Sequence, residues 1–191
     1  MTVAPAIIAG VTARDRLLDA VEELIGSGGF RAVSIASAAA AAGVSRQTVY
    51  ANFGTLEDLI SETVTEVSTR ALTEVTERIE PIADAGEYIV ELIVAARAAF
   101  RDIPALAVLV FPDTGNPVFD ADMFATATPM VEVFVLPLFE RAPHLADCRE
   151  DVLEVLLRTG LSVLMFDSEA IRGDADLRGY LTRTMLPALG L

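Results

Sequence analysis

The stretch that decides the fold is residues 34–55, which read SIASAAAAAGVSRQTVYANFGT. Ser34 and Ser45 each stand where a side-chain oxygen can cap the first turn of a helix. Gly43 lies between the two segments, where a tight turn requires a positive φ. The pattern predicts two short helices, the second ending at Phe53, joined by a turn. This arrangement is a helix-turn-helix.

The second helix of this motif has two different faces. Val44, Val49 and Phe53 are predicted to face inward and fix the crossing of the helices, which the small Ala39 allows to approach closely. Short hydroxyls, an amide and an arginine fork remain on the outer face, and such groups suit phosphates and base edges in the major groove. The outer face carries Ser45, Arg46, Gln47, Thr48 and Tyr50.

Helical periodicity continues on both sides of the motif. Before it, apolar residues recur at helical spacing from Leu17 until the glycine-rich segment 26–29 ends the helix. After it, Thr55 and Asp58 resemble a capping box with Asp in place of the usual Glu or Gln. They predict the start of a long helix that stops near Pro81.

The rest of the chain also has helical patterns, and no segment alternates with period two. We expect helices at about 84–101, 103–111, 120–141, 147–167 and 174–188. Pro137 should kink or split the helix that contains it, and residues 112–117 form the clearest loop. The predicted class is all-α: an N-terminal three-helix helix-turn-helix domain and a larger helical domain. The predicted domains are a flexible segment 1–11, the helix-turn-helix domain 12–58 and the larger helical domain 59–191.

These residues resemble the TetR family of bacterial transcriptional regulators. The resemblance rests on the run 42–45, on Thr48, Val49 and Tyr50, and on Phe53. A helix with the pattern of residues 14–20 precedes them. The resemblance covers roughly residues 13–60. It implies a homodimer that binds an operator in double-stranded DNA through paired helix-turn-helix units. It also implies release of the operator when a small molecule occupies the C-terminal domain.

The resemblance further implies a role for each outer residue. Arg46 and Gln47 would approach the bases, and Thr55 would place the backbone N–H groups and the helix dipole of the long helix against a phosphate. Four other side chains would contact phosphates, and these are Ser34, Ser45, Thr48 and Tyr50.

The sequence departs from the family pattern at several positions. Leu56 stands where the family usually has Lys, so one phosphate contact is lost. Ala38 replaces a typical Ile, and Ala40 and Ala41 replace polar residues. Asn52 stands where His is common. Because each lost phosphate contact removes about one unit of salt dependence, we expect weaker and less salt-sensitive DNA binding than in a Lys-rich relative.

The overall charge at first argues against DNA as a partner. The 191 residues contain 14 Arg, no Lys and 28 Asp or Glu, giving a net charge of -14, whereas a DNA-binding domain is typically basic. Four Arg and four acids cancel in residues 1–55, however, so the whole surplus lies in residues 56–191. A helix of about 24 residues spans roughly 36 Å, well beyond the Debye length of about 8 Å. Salt therefore screens most of the negative charge of residues 56–191 from the DNA, and the net charge is only a weak argument against DNA binding.

Two C-terminal segments are predicted to form the dimer interface. Segment 151–166 is apolar around most of a helix circumference, which indicates burial on two sides. A second apolar stripe follows in segment 177–188. We expect these helices to pair with their symmetry mates in a four-helix interface. The predicted contacts are Val152, Val155, Leu156, Leu157, Leu161, Leu164, Leu177, Tyr180 and Leu181.

Aromatic and methionine side chains in the larger domain could line an apolar cavity for a small-molecule effector, or could be ordinary core. They are Phe100, Phe111, Met123, Phe124, Met130 and Phe134. Arg97 lies among apolar residues of a predicted helix. It could hold an anionic group of the ligand, or it could reach solvent with its charged end or pair with Glu91 or Asp102. The expected effector is an apolar small molecule.

The sequence does not favour an enzyme. His144 and Cys148 are the only residues of their kinds, with Asp147 between them. A metal site needs three or four ligands, and a nucleophile needs a base oriented by a third group. A turn after Pro143 leading into a helix accounts for these residues. We therefore predict no catalytic residue, no metal and no cofactor.

Other features indicate a cytoplasmic protein. A single cysteine excludes a disulfide framework and fits a reducing compartment. Residues 1–11 lack the basic start of a signal peptide, and no apolar run approaches the ~20 residues that a membrane span requires. The leading hypothesis is a ligand-responsive regulator, a repressor rather than an activator. The alternatives are a helical ligand-binding dimer with weak or lost DNA binding and, more remotely, a helical enzyme.

Overall fold

The computed structural model describes residues 12–110, 123–166 and 168–191, and of residues 109, 110, 123–127, 129 and 130 it describes the backbone alone. The predicted flexible segment 1–11 and the predicted loop 112–117 lie outside the described residues. Within the described ranges, the one β-type contact is an isolated bridge between Ser168 and Ile171. The predicted all-α class is confirmed.

Ten α-helices follow one another along the described chain, with short 3-10 segments at Phe30–Ala32 and Pro143–Cys148. The helices are α1 (Ala13–Gly28), α2 (Ile35–Ala41), α3 (Arg46–Phe53), α4 (Leu56–Ile79), α5 (Ala85–Asp102), α6 (Pro104–Val110), α7 (Met123–Arg141), α8 (Arg149–Met165), α9 (Asp174–Thr184) and α10 (Leu186–Leu189). None of the helices in the described ranges is both long and apolar enough to cross a membrane.

The chain forms two compact units, Met1–Glu66 and Val67–Leu191, and α4 contributes to both. In the first unit, Thr12 caps α1: its Oγ1 accepts a hydrogen bond from the Asp15 N–H at 3.1 Å, and Asp15 accepts one in return from the Thr12 N–H at 2.9 Å. These hydrogen bonds hold the pKa of Asp15 below its usual range. Gly29, with φ 67°, ends α1.

In the second unit, α5 forms the centre of the core. It contacts α6, α7, α8 and α9. Because α5 is apolar on nearly every face, it is buried on several sides rather than along one stripe. Its buried residues include Tyr88, Ile89, Val90, Leu92, Ile93, Val94 and Ala95.

Two prolines have different effects on the helices that contain them. The predicted helix 174–188 is in fact two helices, α9 and α10, separated at Met185. Pro187 lacks the N–H that would continue the hydrogen-bond ladder of α9. By contrast, α7 runs through Pro137 as one helix, so the predicted split does not occur. Val135 and Leu138 on either side of this proline are fully buried and belong to the core of the second unit.

Candidate nucleic-acid interface

The caps predicted at the start of the helix-turn-helix are present. Ser34 Oγ accepts a hydrogen bond from the Ser37 N–H at 3.0 Å, and Ser37 Oγ accepts one from the Ser34 N–H at 2.8 Å. The two serines therefore form a capping box in which Ser37 replaces the usual Glu or Gln. They determine where α2 begins, and they leave Ser34 exposed.

The turn between α2 and α3 is short and closed by hydrogen bonds. Gly43 has φ 66°, as predicted, and the Val44 N–H donates to the Ala39 carbonyl oxygen at 2.9 Å. Ser45 Oγ then accepts a hydrogen bond from the Thr48 N–H at 3.1 Å and caps α3. These local bonds explain why the sequence pattern was sufficient to predict the turn.

The inner face of α3 packs as predicted. Val49 and Phe53 are buried, Val44 is half-buried in the turn, and Ala39 is buried on the facing side of α2. Ala38 is buried as well, so this position belongs to the core of the unit.

The outer face of α3 presents the predicted DNA-contacting residues. Arg46 and Gln47 are exposed in the first turn, and Tyr50 follows with 55% of its surface exposed. Thr48 is half-buried, and its Oγ1 lies 2.9 Å from Ser45 Oγ. The amide of Asn52 donates to the Thr48 carbonyl oxygen at 2.7 Å. The exposed side of this capped helix therefore carries one cation (Arg46), two amides (Gln47 and Asn52) and one phenol (Tyr50).

The first turn of α4 carries negative charge, which opposes the phosphate contact expected there. Thr55 Oγ1 accepts a hydrogen bond from the Asp58 N–H at 3.0 Å and donates one to the Asp58 carboxylate at 2.6 Å. The Thr55 N–H donates to the Phe53 carbonyl oxygen, so only half of the predicted capping box forms. Glu57 and Asp58 both lie in the first turn, and Leu56 adds no positive charge.

Sequence reasoning did not assign a role to Arg14. Its guanidinium carbon lies 5.1 Å from the centroid of the Phe53 ring, at the end of α3, and the guanidinium forms an ion pair with Glu62 of α4. Phe53 and Glu62 are far from Arg14 in sequence, so no local pattern could have identified this contact.

In the second unit, the structure describes part of the predicted ligand site. Arg97 is only 2% exposed, and its Nε donates to the Val163 carbonyl oxygen at 3.2 Å. Its charged end therefore does not reach solvent. Phe100 and Phe134 are half-buried. Phe111 lies outside the described residues, and so do the side chains of Met123, Phe124 and Met130.

The predicted dimer residues fall into two groups. Tyr180 is 37% exposed, and Val155, Leu161 and Leu164 are half-buried. The others are buried within the single chain, so they lose almost no further surface on association and contribute to the core: Val152, Leu156, Leu157, Leu177 and Leu181.

His144 and Cys148 lie in the 3-10 segment Pro143–Cys148, as the predicted turn requires. Cys148 is exposed, and its thiol lies 3.5 Å from the Leu145 carbonyl oxygen. Across the parts of the chain with described side chains, no group of three or more His, Cys, Asp or Glu residues could hold a metal ion.

Comparison with known proteins agrees with this geometry. Residues 17–63 match the family model described as bacterial regulatory proteins, tetR family. No curated protein is significantly similar to the chain in sequence.

Several solved structures share the fold. A TetR-like transcriptional regulator from Rhodococcus sp. RHA1 has a TM-score of 0.63 and 16% identity, over 97% of this chain and 99% of that one. The TetR family regulator PfmR from Thermus thermophilus has a TM-score of 0.60 and 19% identity, over 90% and 95%. AibR, solved in complex with isovaleryl coenzyme A and operator DNA, has a TM-score of 0.62 and 13% identity, over 92% and 99%. The predicted resemblance to the TetR family is confirmed in the N-terminal segment and in the fold.

Proposed function

We propose that the chain, whose residues 17–63 match the TetR family and whose fold is that of TetR-like regulators, is a ligand-responsive transcriptional regulator. It acts in the cytoplasm as a repressor that a small molecule releases from its operator. The observation that carries this proposal is the outer face of α3. Arg46, Gln47 and Tyr50 are exposed there on a helix whose position is fixed by the turn at Gly43 and the buried Val49.

The proposed DNA contacts divide into two kinds. Arg46 and Gln47 reach base edges in the major groove, because a guanidinium and a carboxamide each form two hydrogen bonds to one base. The hydroxyl-bearing residues and the α4 N-terminus contact phosphates and position α3 without reading sequence. These phosphate contacts are Ser34, Ser45, Thr48, Tyr50 and Thr55.

We propose that residues 12–58 form the DNA-binding domain and residues 59–191 the effector-binding and dimerisation domain. The active species is a homodimer, because a symmetric pair of reading helices matches a two-fold operator. Its interface uses the accessible part of α8 and α9, at Val155, Leu161, Leu164 and Tyr180.

The proposed effector is a small molecule with an apolar body and an anionic group. Arg97 supports this assignment, because its guanidinium lies in the core of the second unit, where it can form charge-assisted hydrogen bonds to a carboxylate or phosphate of a ligand. Ile93, Val94 and Val163 of the same core are buried and apolar. AibR, a protein of the same fold, has been solved with isovaleryl coenzyme A, which combines a short apolar acyl group with phosphates.

A DNA titration tests the regulator function. The full-length protein is titrated with a labelled fragment of its own upstream region and with a scrambled fragment of the same composition, at two salt concentrations. We expect the upstream fragment to bind at least about 10³-fold more tightly at physiological salt. Equal affinity for both fragments would rule out a sequence-specific regulator.

A second experiment tests the effector class. Straight-chain carboxylates of increasing length are added to the protein, with the methyl ester of each acid as its uncharged control. We expect the acids, but not the esters, to raise Tm and to release the upstream fragment, because binding to the native state stabilises it. If the esters are as effective as the acids, the charge of Arg97 does not select the ligand.

A helical ligand-binding dimer with weak DNA binding is the second candidate. The observation that favours it is the start of α4, where Leu56 is followed by Glu57 and Asp58. Two carboxylates in this turn repel a phosphate. This candidate predicts that the acids raise Tm while the upstream and scrambled fragments bind equally.

A further inference from the structure

Arg14 lies where three helices of the N-terminal unit meet. It belongs to the first turn of α1, and its guanidinium carbon lies 5.1 Å from the ring centroid of Phe53, the last residue of α3. The same guanidinium forms an ion pair with Glu62 in the second turn of α4. One side chain therefore connects α1 to the end of α3 and to α4.

The contact between Arg14 and Phe53 lies at the C-terminal end of α3. Gly54 follows Phe53 with φ 78° and has no side chain to pack against the unit. A cation over an aromatic ring and a partly exposed ion pair each contribute modestly. The first links Arg14 to α3, and the second holds the Arg14 side chain against α4.

We propose that Arg14 is a positioning residue for DNA reading: it holds α3 in its binding position against α1 and α4 and does not itself contact DNA. This inference rests on the proposed function. Glu62 neutralises the guanidinium, so Arg14 releases no counterion when DNA binds. A residue of this kind changes operator affinity and leaves its salt dependence unchanged, whereas loss of a phosphate contact lowers the salt slope by about one unit.

Arg14→Met tests the proposal, and Arg16→Met is the matched control. Arg16 lies two residues along the same helix, is exposed, and its replacement removes the same charge. We expect Arg14→Met to weaken binding of the upstream fragment about fivefold to tenfold, with the slope of log K against log salt unchanged. Arg16→Met should stay within about twofold of the wild type.

The variant Glu62→Gln shows whether Arg14 positions α3 or contacts a phosphate, because the two roles predict opposite changes in DNA affinity. If Arg14 contacted a phosphate, removal of the acid beside it would strengthen DNA binding. If Arg14 positions α3, removal of the ion pair weakens operator binding, by about twofold to threefold. We expect weakening.

Amide hydrogen exchange provides a readout without DNA. In Arg14→Met, the amides of α3 should exchange faster than in the wild type, while Arg16→Met leaves them unchanged. Circular dichroism melting confirms that each variant is folded at the assay temperature. The inference is wrong if the wild type binds its upstream fragment specifically and Arg14→Met binds like Arg16→Met, or if Arg14→Met loses one unit of salt slope. If the wild type itself shows no preference for the upstream fragment, the proposed function fails first, and the role of Arg14 fails with it.

Discussion

Gln47 and Tyr50 lie three residues apart on the exposed face of α3, and we propose different tasks for them. Gln47→Ala should relax base preference at one operator position by about 1–3 kcal/mol, because a carboxamide paired with a base edge carries sequence information. Tyr50→Ala is the contrasting variant. It should weaken binding to operator and to unrelated DNA alike, since a phosphate contact carries no sequence information. Competition binding against single-base operator variants measures both effects.

An unchanged base preference in Gln47→Ala would show that the reading face of α3 is placed differently. A loss of operator binding alone in Tyr50→Ala, with unrelated DNA unaffected, would assign Tyr50 to base reading instead.

Substitutions at Gly43 test whether the turn between α2 and α3 requires a positive φ. Its φ is 66°, and a Cβ added there would have no atom within 4 Å, so substitution affects only the backbone conformation. Gly43→Ala should lower the free energy of unfolding by about 1–2 kcal/mol. Gly43→Asn, whose side chain tolerates this region better, should cost less. Urea unfolding of both variants checks the order, and an equal cost for Ala and Asn would contradict backbone strain as the cause.

At the scale of helices, an ion-pair cluster joins three elements of the second unit. The Glu91 carboxylate on α5 accepts hydrogen bonds from Arg178 of α9 at 3.0 Å and from Arg78 of α4 at 3.1 Å. The hydrogen bonds from Arg178 hold the pKa of Glu91 below its usual range, although partial burial opposes them. Glu91 is therefore ionised in the folded protein at pH 7 and fastens α4 and α9 to the central helix.

The lowered pKa predicts how this cluster depends on pH. Because folding lowers the pKa, ionised Glu91 stabilises the fold fully above its unfolded value of about 4.3, and this stabilisation is lost as pH falls through the folded-state pKa. Glu91→Gln should lower the free energy of unfolding at pH 7 by about 1–2 kcal/mol. Below about pH 4.3 the free energy of unfolding should decrease less in this variant than in the wild type. Urea unfolding at pH 7 and at lower pH measures both effects.

Glu77→Gln is the control for this experiment. Glu77 is an exposed acid of α4, so its replacement should change the free energy of unfolding by less than about 0.5 kcal/mol. A Glu91→Gln variant that retains the full wild-type dependence on pH would show that the cluster contributes nothing to acid sensitivity.

At the scale of the whole molecule, the proposed dimer depends on the accessible part of α8 and α9. Tyr180→Glu should produce a monomer in sedimentation experiments, because it places a charge in an interface without replacing a fully buried side chain. Leu136→Glu is the control: Leu136 is 51% exposed on α7, outside the proposed interface. A Tyr180→Glu protein that remains dimeric would place the interface elsewhere.

The sequence was sufficient to predict the helix-turn-helix almost to the residue. The caps at Ser34 and Ser45 and the turn at Gly43 depend on bonds between residues at most five positions apart, and such bonds follow from residue type and spacing. Proline was harder to interpret. Pro187 interrupts the last helix and Pro137 does not interrupt α7. Pro137 lies between the buried Val135 and Leu138, and their burial depends on residues that are distant in sequence.

The amino-acid sequence by itself determined the helical class, the reading motif and its resemblance to the TetR family, all of which follow from local periodicity, capping and turn chemistry. The tertiary structure alone decided which residues meet across helices. It placed Arg14 on Phe53, brought Arg178 to Glu91, and buried Arg97 beside Val163. It also separated the core leucines of α8 from the accessible ones. These pairs lie 39 to 87 positions apart in the chain, so periodicity carries no information about them, and only packing brings them together.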